Sequence, residues 1–272
     1  MSSTPDHPFD AAVRLTPEHE GAADGRYRGA TSPAYANMIG PFGGTTAALL
    51  LNAAFIHPAR LGEPVALTVN FAGPIADGDF TVTARAVRTN RSTQHWVIEL
   101  AQADGIAATA TAVFALRRET WATTDAVFPR VPGAHETARH TAAGVAFIRQ
   151  YDIRFVQGAP VPHDAPRDST TTLWMRDDPP RPLDVISLAA LCDMFFPRVL
   201  LRRAKFVPAS TVSITTYFHA DAARLAEQGT RHLLGTARAL TFGSGYHDQS
   251  AEVWSDDGVL LAASHQVVYY KE

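Results

Sequence analysis

The sequence predicts an α+β protein built from two copies of one arrangement, in which an antiparallel sheet wraps a central helix. Each half of the 272 residues holds one apolar run of helical length followed by strand-like segments. Phe71-Ala72 in the first half matches Phe218-His219 in the second, and Gly105 matches Gly258. A repeat of about 150 residues is far longer than a solenoid period, so it indicates a duplicated domain.

The first half is predicted to contain one helix, from Thr45 to about Phe55, which follows Gly40-Pro41-Phe42-Gly43-Gly44. Asp77-Gly78 and Asp104-Gly105 are turn signals between strand-like segments. The expected strands lie near residues 9–15, 24–30, 65–71, 78–89, 94–102 and 107–117.

The second half repeats this order, with a helix predicted between Asp184, a plausible N-cap, and Pro197. The segment between the halves contains Pro129, Pro132 and Gly133 and is predicted to be a surface linker. Strands are expected near 147–156, 169–176, 211–218, 230–242, 246–255 and 258–270. The predicted divisions are therefore a module at 1–118, a linker at 119–146 and a second module at 147–272.

The composition argues against several classes of function. The formal net charge is −3, with acids and bases interspersed, so neither nucleic acid nor an anionic membrane is an expected partner. No apolar run approaches about 18 residues, and the first residues lack the pattern of a signal peptide, so we expect a cytoplasmic protein. The single cysteine, Cys192, excludes an internal disulfide and a Cys-based zinc cluster.

Asp193 is the most informative residue, because it lies in the apolar stretch 185–196, which reads as a buried helix. Burying an unpaired charge costs several kcal/mol, so this carboxylate must be paired, protonated or used. It could be a structural carboxylate paired with Arg154 or Arg176. A functional role is the alternative, since perturbed buried acids also occur at active sites.

Two further polar residues accompany Asp193 in the second half only. Thr211 begins the strand that ends in Tyr217-Phe218-His219, and Gln266 lies in the last strand. Counting back from Phe71 makes Pro64 the counterpart of Thr211, and counting on from Gly105 makes Val113 the counterpart of Gln266. The first-half helix contains no acid. We therefore expect one site in the chain, in the second copy.

This ordered set resembles the acyl-CoA thioesterase II family, and the helix-and-sheet outline resembles the double hotdog fold. The resemblance also includes Phe42-Gly43-Gly44 before the first helix and extends over essentially the whole chain. It implies hydrolysis of an acyl-CoA thioester by water, without a metal or other cofactor. Asp193 would be the general base or water-orienting group, and Thr211 and Gln266 would hydrogen-bond the water and the carboxylate.

Each site residue also has an ordinary interpretation. Strand alternation groups Thr211 with Ser213 and Thr215, so either of these could replace it, and Gln266 could be a surface strand residue. Gly43 and Gly44 could supply backbone donors for the thioester oxygen, or could simply permit a tight turn. The basic residues that follow the second helix could bind the phosphates of coenzyme A, or could be solvated. They are Arg198, Arg202 and Arg203.

Other functions remain compatible with this sequence. One is a catalytically silent protein that binds acyl groups or acyl-CoA, since a fold does not establish a function. Another is a thioesterase that acts on acyl groups carried by a carrier protein. Hotdog sheets often pair edge to edge, so a homodimer or a higher homo-oligomer is also expected.

Overall fold

The computed structural model describes residues 6–19, 25–141, 144–160, 165 and 167–271. Residue 24 of a predicted strand and residues 142 and 143 of the predicted linker lie outside this range. Within the described residues there are five α-helices. They are α1 (Pro8–Ala12), α2 (Gly43–Phe55), α3 (Val185–Leu191), α4 (Val199–Arg203) and α5 (Ala222–Gln228).

The described strands form one antiparallel sheet of thirteen strands. In the first half these are β1 (Thr16–Pro17), β2 (Arg26–Ala30), β3 (Glu63–Phe71), β4 (Asp79–Thr89), β5 (Thr93–Gln102) and β6 (Gly105–Ala115). In the second half they are β7 (Tyr151–Gln157), β8 (Thr171–Asp177), β9 (Ala209–Phe218), β10 (Leu233–Arg238), β11 (Phe242–Gly243), β12 (Tyr246–Trp254) and β13 (Leu260–Tyr270).

The two halves of the chain contribute contiguous halves of the sheet. The strand order is β1-β2-β4-β5-β6-β3-β9-β13-β12-β10-β8-β7, and β11 pairs with β12. The halves meet where β3 pairs with β9, with Thr68 opposite Thr215 and their hydroxyl oxygens 3.0 Å apart. These two residues are 147 positions apart, which matches the spacing from Phe71 to Phe218. The α+β architecture and the duplication are thus as predicted.

The helices α2 and α3 pack against each other, and α2 also contacts strands β3, β4, β5 and β6. Of the 13 residues of α2, ten are buried, so the helix is enclosed on nearly all sides. Close packing of the two helices depends on Gly44, since a Cβ there would lie 2.5 Å from the carbonyl oxygen of Ala190. No helix in the described part of the chain is long and apolar enough to cross a membrane.

Several local predictions were wrong, and each has a physical reason. The segment predicted as a strand at 9–15 contains helix α1, because Pro8 occupies the first turn and the His7 ring accepts the Phe9 amide hydrogen. The helix predicted between Asp184 and Pro197 ends at Leu191. Helix α5 was missed although Asp221 caps it by accepting the Arg224 amide, a signal that the sequence carries.

The segment from 116 to 141 runs over the surface of the second half, and one 3-10 turn, Ala134–Glu136, is its only helical or strand element among the described residues. It is held by specific contacts. The Trp174 indole donates to the carbonyl of Pro132 at 2.9 Å, and the Phe128 ring packs edge-on against Trp254. The predicted domain boundaries themselves stay a prediction.

Candidate active site

Asp193 lies two residues beyond the end of α3, where its amide donates to the Ala190 carbonyl at 3.1 Å. Its carboxylate points to the N-terminus of α2, which belongs to the other half of the chain. The Gly44 amide donates a hydrogen bond to it. Helix α2 has no capping side chain of its own at Phe42, so Asp193 supplies the acceptor that an N-cap residue normally provides. The candidate site therefore spans both modules.

Gln266 and Thr211 complete a chain of side chains that ends on this carboxylate. The Gln266 side-chain amide donates to Asp193 Oδ1 at 2.8 Å. The Thr211 hydroxyl donates to Gln266 Oε1 at 3.1 Å, which fixes the orientation of the amide. Gln266 is only 2% exposed, so it is not a surface strand residue. The structure thus brings the three residues singled out in the sequence into one hydrogen-bonded row.

A β-bulge in β9 puts Thr211 on the inner face of the sheet. Val267 of β13 lies opposite Ser213 whereas Val268 lies opposite Thr211, so Val212 is the extra residue. Simple alternation therefore grouped Thr211 with Ser213 and Thr215 incorrectly. Among the described contacts, Thr215 bonds Thr68 at the module junction instead.

The first module contains the same bulge but no equivalent polar row. Its register breaks between Pro64 and Ala66 of β3, the positions that correspond to the bulge in β9. Ala112 lies opposite Leu67, as Gln266 lies opposite Ile214, so Ala112 is the structural counterpart of Gln266. Counting from the turn had given Val113, one residue too far. The expectation that this position is apolar holds with either residue.

The alternative of a structural ion pair does not match the contacts. Arg154 and Arg176 both lie on Asp152, with nitrogen–oxygen distances of 2.9 and 3.6 Å. Among the described residues, no arginine, lysine or histidine lies within ion-pairing distance of the Asp193 carboxylate. Within the described part of the chain, Asp193 is thus held by neutral donors.

Burial raises the pKa of the Asp193 carboxyl to about 7, while the hydrogen bonds from Gln266 and Gly44 oppose that rise. A carboxyl that titrates near neutrality can accept a proton from water and release it again at physiological pH. The neighbouring Cys192 is different. Burial raises the pKa of its thiol, which leaves it unreactive.

Gly43 and Gly44 both pack where a side chain would collide. A Cβ at Gly43 would lie 2.8 Å from Asp193 Oδ2 and 3.4 Å from the Phe71 ring. The two glycines therefore allow the carboxylate and helix α3 to approach the end of α2. This packing explains the glycine pair without reference to a substrate, and the oxyanion role stays a prediction.

The three arginines proposed for coenzyme A phosphates differ in exposure. Arg198 is fully buried, at 0% exposure, with its guanidinium bonded inside the protein, so the prediction that it binds phosphate does not fit this structure. Arg202 and Arg203 lie at the exposed end of α4, where Arg202 donates to the Arg167 carbonyl at 2.9 Å. For these two the phosphate role stays a prediction.

Sequence reasoning missed the residues that hold the segment after α3. Ser264 and Gln249 are buried on the inner face of β13 and β12, and both bond carbonyls of that segment. A signal was present, since Gln249 alternates with the buried Ala251 and Val253 in β12. Within the described residues, no group of three His, Cys, Asp or Glu side chains could hold a metal ion.

Comparison with protein families identifies both halves of the chain. Residues 32–115 match the model of the acyl-CoA thioesterase N-terminal domain, and residues 122–270 match that of the acyl-CoA thioesterase C-terminal domain. None of the curated proteins compared with the chain matches it significantly.

Solved structures agree on the fold. A protein of unknown function with a hot dog fold from Alicyclobacillus acidocaldarius is 48% identical, with a TM-score of 0.93 over 98% of this chain and 99% of that one. The tesB protein of Mycobacterium avium subspecies paratuberculosis is 18% identical, with a TM-score of 0.78 over 97% and 98%. Acyl-CoA thioesterase II TesB2 of Mycobacterium marinum is 17% identical, with a TM-score of 0.74 over the same shares. The predicted double hotdog fold is confirmed.

Proposed function

Since the chain belongs to the acyl-CoA thioesterase II family and is a thioester hydrolase, we propose that it hydrolyses acyl-CoA through a water activated by Asp193, Thr211 and Gln266. The row of hydrogen bonds from Thr211 through Gln266 to Asp193 is the observation that supports this proposal most directly. No cofactor takes part in the proposed reaction.

In the proposed step, Asp193 accepts a proton as the water oxygen forms a bond to the thioester carbonyl carbon. The tetrahedral intermediate then loses the thiolate of coenzyme A as the carbon–sulfur bond breaks, and the proton passes from Asp193 to that sulfur. The products are the free acid and coenzyme A. Positioned general-base catalysis typically contributes about 10²–10⁴-fold, and holding the water beside the carbonyl adds an entropic contribution.

The developing negative charge on the thioester oxygen needs hydrogen-bond donors. The first amides of α2 lie next to Asp193, and the N-terminal end of a helix stabilises negative charge. We assign the Gly43 amide to the oxyanion, because the Gly44 amide already bonds the carboxylate. The base and the oxyanion donor would then come from different modules.

A panel of acyl-CoA substrates tests this function. The purified protein should release free thiol from at least one of them, and Asp193→Ala should abolish this release. The far-UV and near-UV circular dichroism spectra of the variant should stay those of the folded protein. Asp177→Asn is a matched control, because Asp177 is also a buried acid of the second module whose carboxyl pKa burial raises to about 7. This control should retain the wild-type rate.

The same panel separates the alternatives. A wild-type protein that binds acyl-CoA without releasing thiol would be a silent binding protein, and release only from acyl carrier protein would identify a carrier-dependent thioesterase. The proposal also includes a cytoplasmic location and a part in lipid metabolism. It further includes phosphate contacts through Arg202 and Arg203, and a homodimer or higher homo-oligomer.

A further inference from the structure

The segment that carries Asp193 is held by side chains of the sheet at its backbone carbonyls. We call residues 192–198 the Asp193 loop. Ser264 donates to the Cys192 carbonyl at 3.1 Å, and the Gln249 amide donates to the Phe195 carbonyl at 3.3 Å. The end of a helix leaves carbonyl groups without intrahelical partners, and here the inner face of the sheet satisfies carbonyls on both sides of Asp193.

Gln249 is the immediate cross-strand neighbour of Gln266. The two residues lie opposite each other in the β12–β13 pairing, and they are 1% and 2% exposed. One amide bonds the Asp193 carboxylate and the other bonds the backbone two residues farther along. The backbone of the Asp193 loop and the Asp193 carboxylate are therefore both held by the same pair of strands, β12 and β13.

Arg198 fixes the far end of the loop and also binds Gln249. Its Nε donates to the Phe196 carbonyl at 2.9 Å and to Gln249 Oε1 at 3.1 Å, while Nη1 donates to Thr171 Oγ1 at 2.5 Å. The guanidinium also stacks on the Phe196 ring at 4.2 Å.

This cation is buried without an anionic partner. No carboxylate among the described residues lies within ion-pairing distance of the Arg198 guanidinium, and burial lowers its pKa to about 9. A buried ion contributes less to stability than an apolar residue of similar size would. The role of Arg198 is therefore better explained by the loop geometry that it maintains than by a contribution to stability.

We propose that Gln249, together with Arg198, is a positioning residue that holds the Asp193 loop so that the carboxylate meets Gln266 and the N-terminus of α2. The mechanistic consequence rests on the proposed function. Neither residue touches the reacting atoms. Their effect is exerted through the backbone at Phe195 and Phe196, which begins two residues after Asp193.

The expected effect is large because the chemistry depends on the position of the base. A displacement of about 1 Å at a reacting group can reduce the rate on the order of 100-fold. In Gln249→Met both side-chain hydrogen bonds are lost at nearly constant volume. We expect kcat to fall by about 10- to 100-fold, with KM changed less than about twofold, because substrate contacts are kept.

A matched control is available in the first module. Gln94 of β5 is also a glutamine at 2% exposure, and it donates to the Ala59 carbonyl and accepts the Leu61 amide. Gln94→Met should lower the midpoint of thermal unfolding as Gln249→Met does, but leave kcat unchanged. If Gln249→Met does not fold, Gln249→Glu keeps an acceptor for Arg198 and removes only the donor to Phe195.

Amide exchange at Gly44 provides a readout that does not require activity. Since the Gly44 amide bonds the Asp193 carboxylate, displacement of the loop should speed its exchange on the order of tenfold in the Gln249 variant and not in the Gln94 variant. Unchanged exchange, or equal loss of kcat in both variants, would overturn the positioning role. An inactive wild type would contradict the proposed function alone, because the exchange measurement still decides the role of Gln249.

Discussion

Replacing Asp193 by asparagine should alter how the stability of the protein depends on pH. The pKa of this carboxyl is raised from 3.8 to about 7 in the folded protein, mainly by burial. The folded state therefore holds the proton more tightly than the unfolded chain does. The resulting stability is fully present below pH 3.8 and is lost as the pH rises to about 7.

The magnitude follows from the linkage between proton binding and folding. Between pH 5 and pH 7 the unfolded chain is ionised here while the folded protein is largely protonated, so each pH unit removes about 1.4 kcal/mol. The slope falls to half of this at pH 7, where the folded carboxyl is half ionised, so the wild type should lose roughly 2 kcal/mol over this interval through Asp193. Asparagine does not titrate, and any hydrogen bond it fails to make costs the same at each pH.

Urea unfolding of both proteins at pH 5, 6, 7 and 8 measures this difference. The free energy of unfolding of Asp193→Asn should rise relative to the wild type by about 2–3 kcal/mol from pH 5 to pH 8, because contributions from other groups cancel. Parallel pH dependences would refute the reasoning. They would mean that the carboxylate is as well stabilised in the protein as in water, as in a structural ion pair.

Three further results are expected. Thr211→Val should lower kcat about tenfold by removing the donor that orients the Gln266 amide. Thr215→Val, on the outer face, should leave kcat unchanged, and equal rates in the two variants would contradict the role assigned to Thr211. Gly43→Ala places a Cβ 2.8 Å from the carboxylate and should lower kcat on the order of 100-fold. Gly73→Ala, with no atom within 4 Å of its Cβ, should match the wild type in the same kinetic assay. Asp177→Asn should reduce the loss of stability between pH 5 and 8, because burial raises the pKa of that carboxyl to about 7; unchanged urea curves would contradict this.

The duplicated architecture was predictable because it depends on patterns that span many residues. The repeat from Phe71 to Phe218 can be recognised even when the predicted bounds of single elements are wrong by one or two residues. The pairing of Thr68 with Thr215 has the same spacing. The importance of Asp193 was predictable for a similar reason. A charge in an apolar segment is anomalous whatever the detailed geometry of that segment.

Details that depend on one residue could not be predicted from the pattern alone. The bulge at Val212 reverses the face of Thr211, and no glycine in the strand signals it. The end of α3 at Leu191 depends on Ser264 and Gln249, which satisfy the following carbonyls from strands more than fifty residues away. The local sequence around α3 gives no indication of the contacts that Ser264 and Gln249 make.

Arg198 shows the limit of reading charge from sequence. A basic residue just after a helix is usually solvated, and exposed arginines are common ligands of phosphate. In this fold Gln249 and Thr171 provide acceptors inside the protein, so the guanidinium is buried. Its role in holding the Asp193 loop became visible only from these long-range contacts.

The central claim is that Asp193 activates water and does not itself attack the thioester. A single turnover in water enriched in ¹⁸O, with enzyme in excess over acyl-CoA, tests this most directly. Direct attack by water predicts that the first molecule of product acid carries the label and that Asp193 stays unlabelled. Unlabelled product from that first turnover would show a covalent acyl-enzyme and contradict the account.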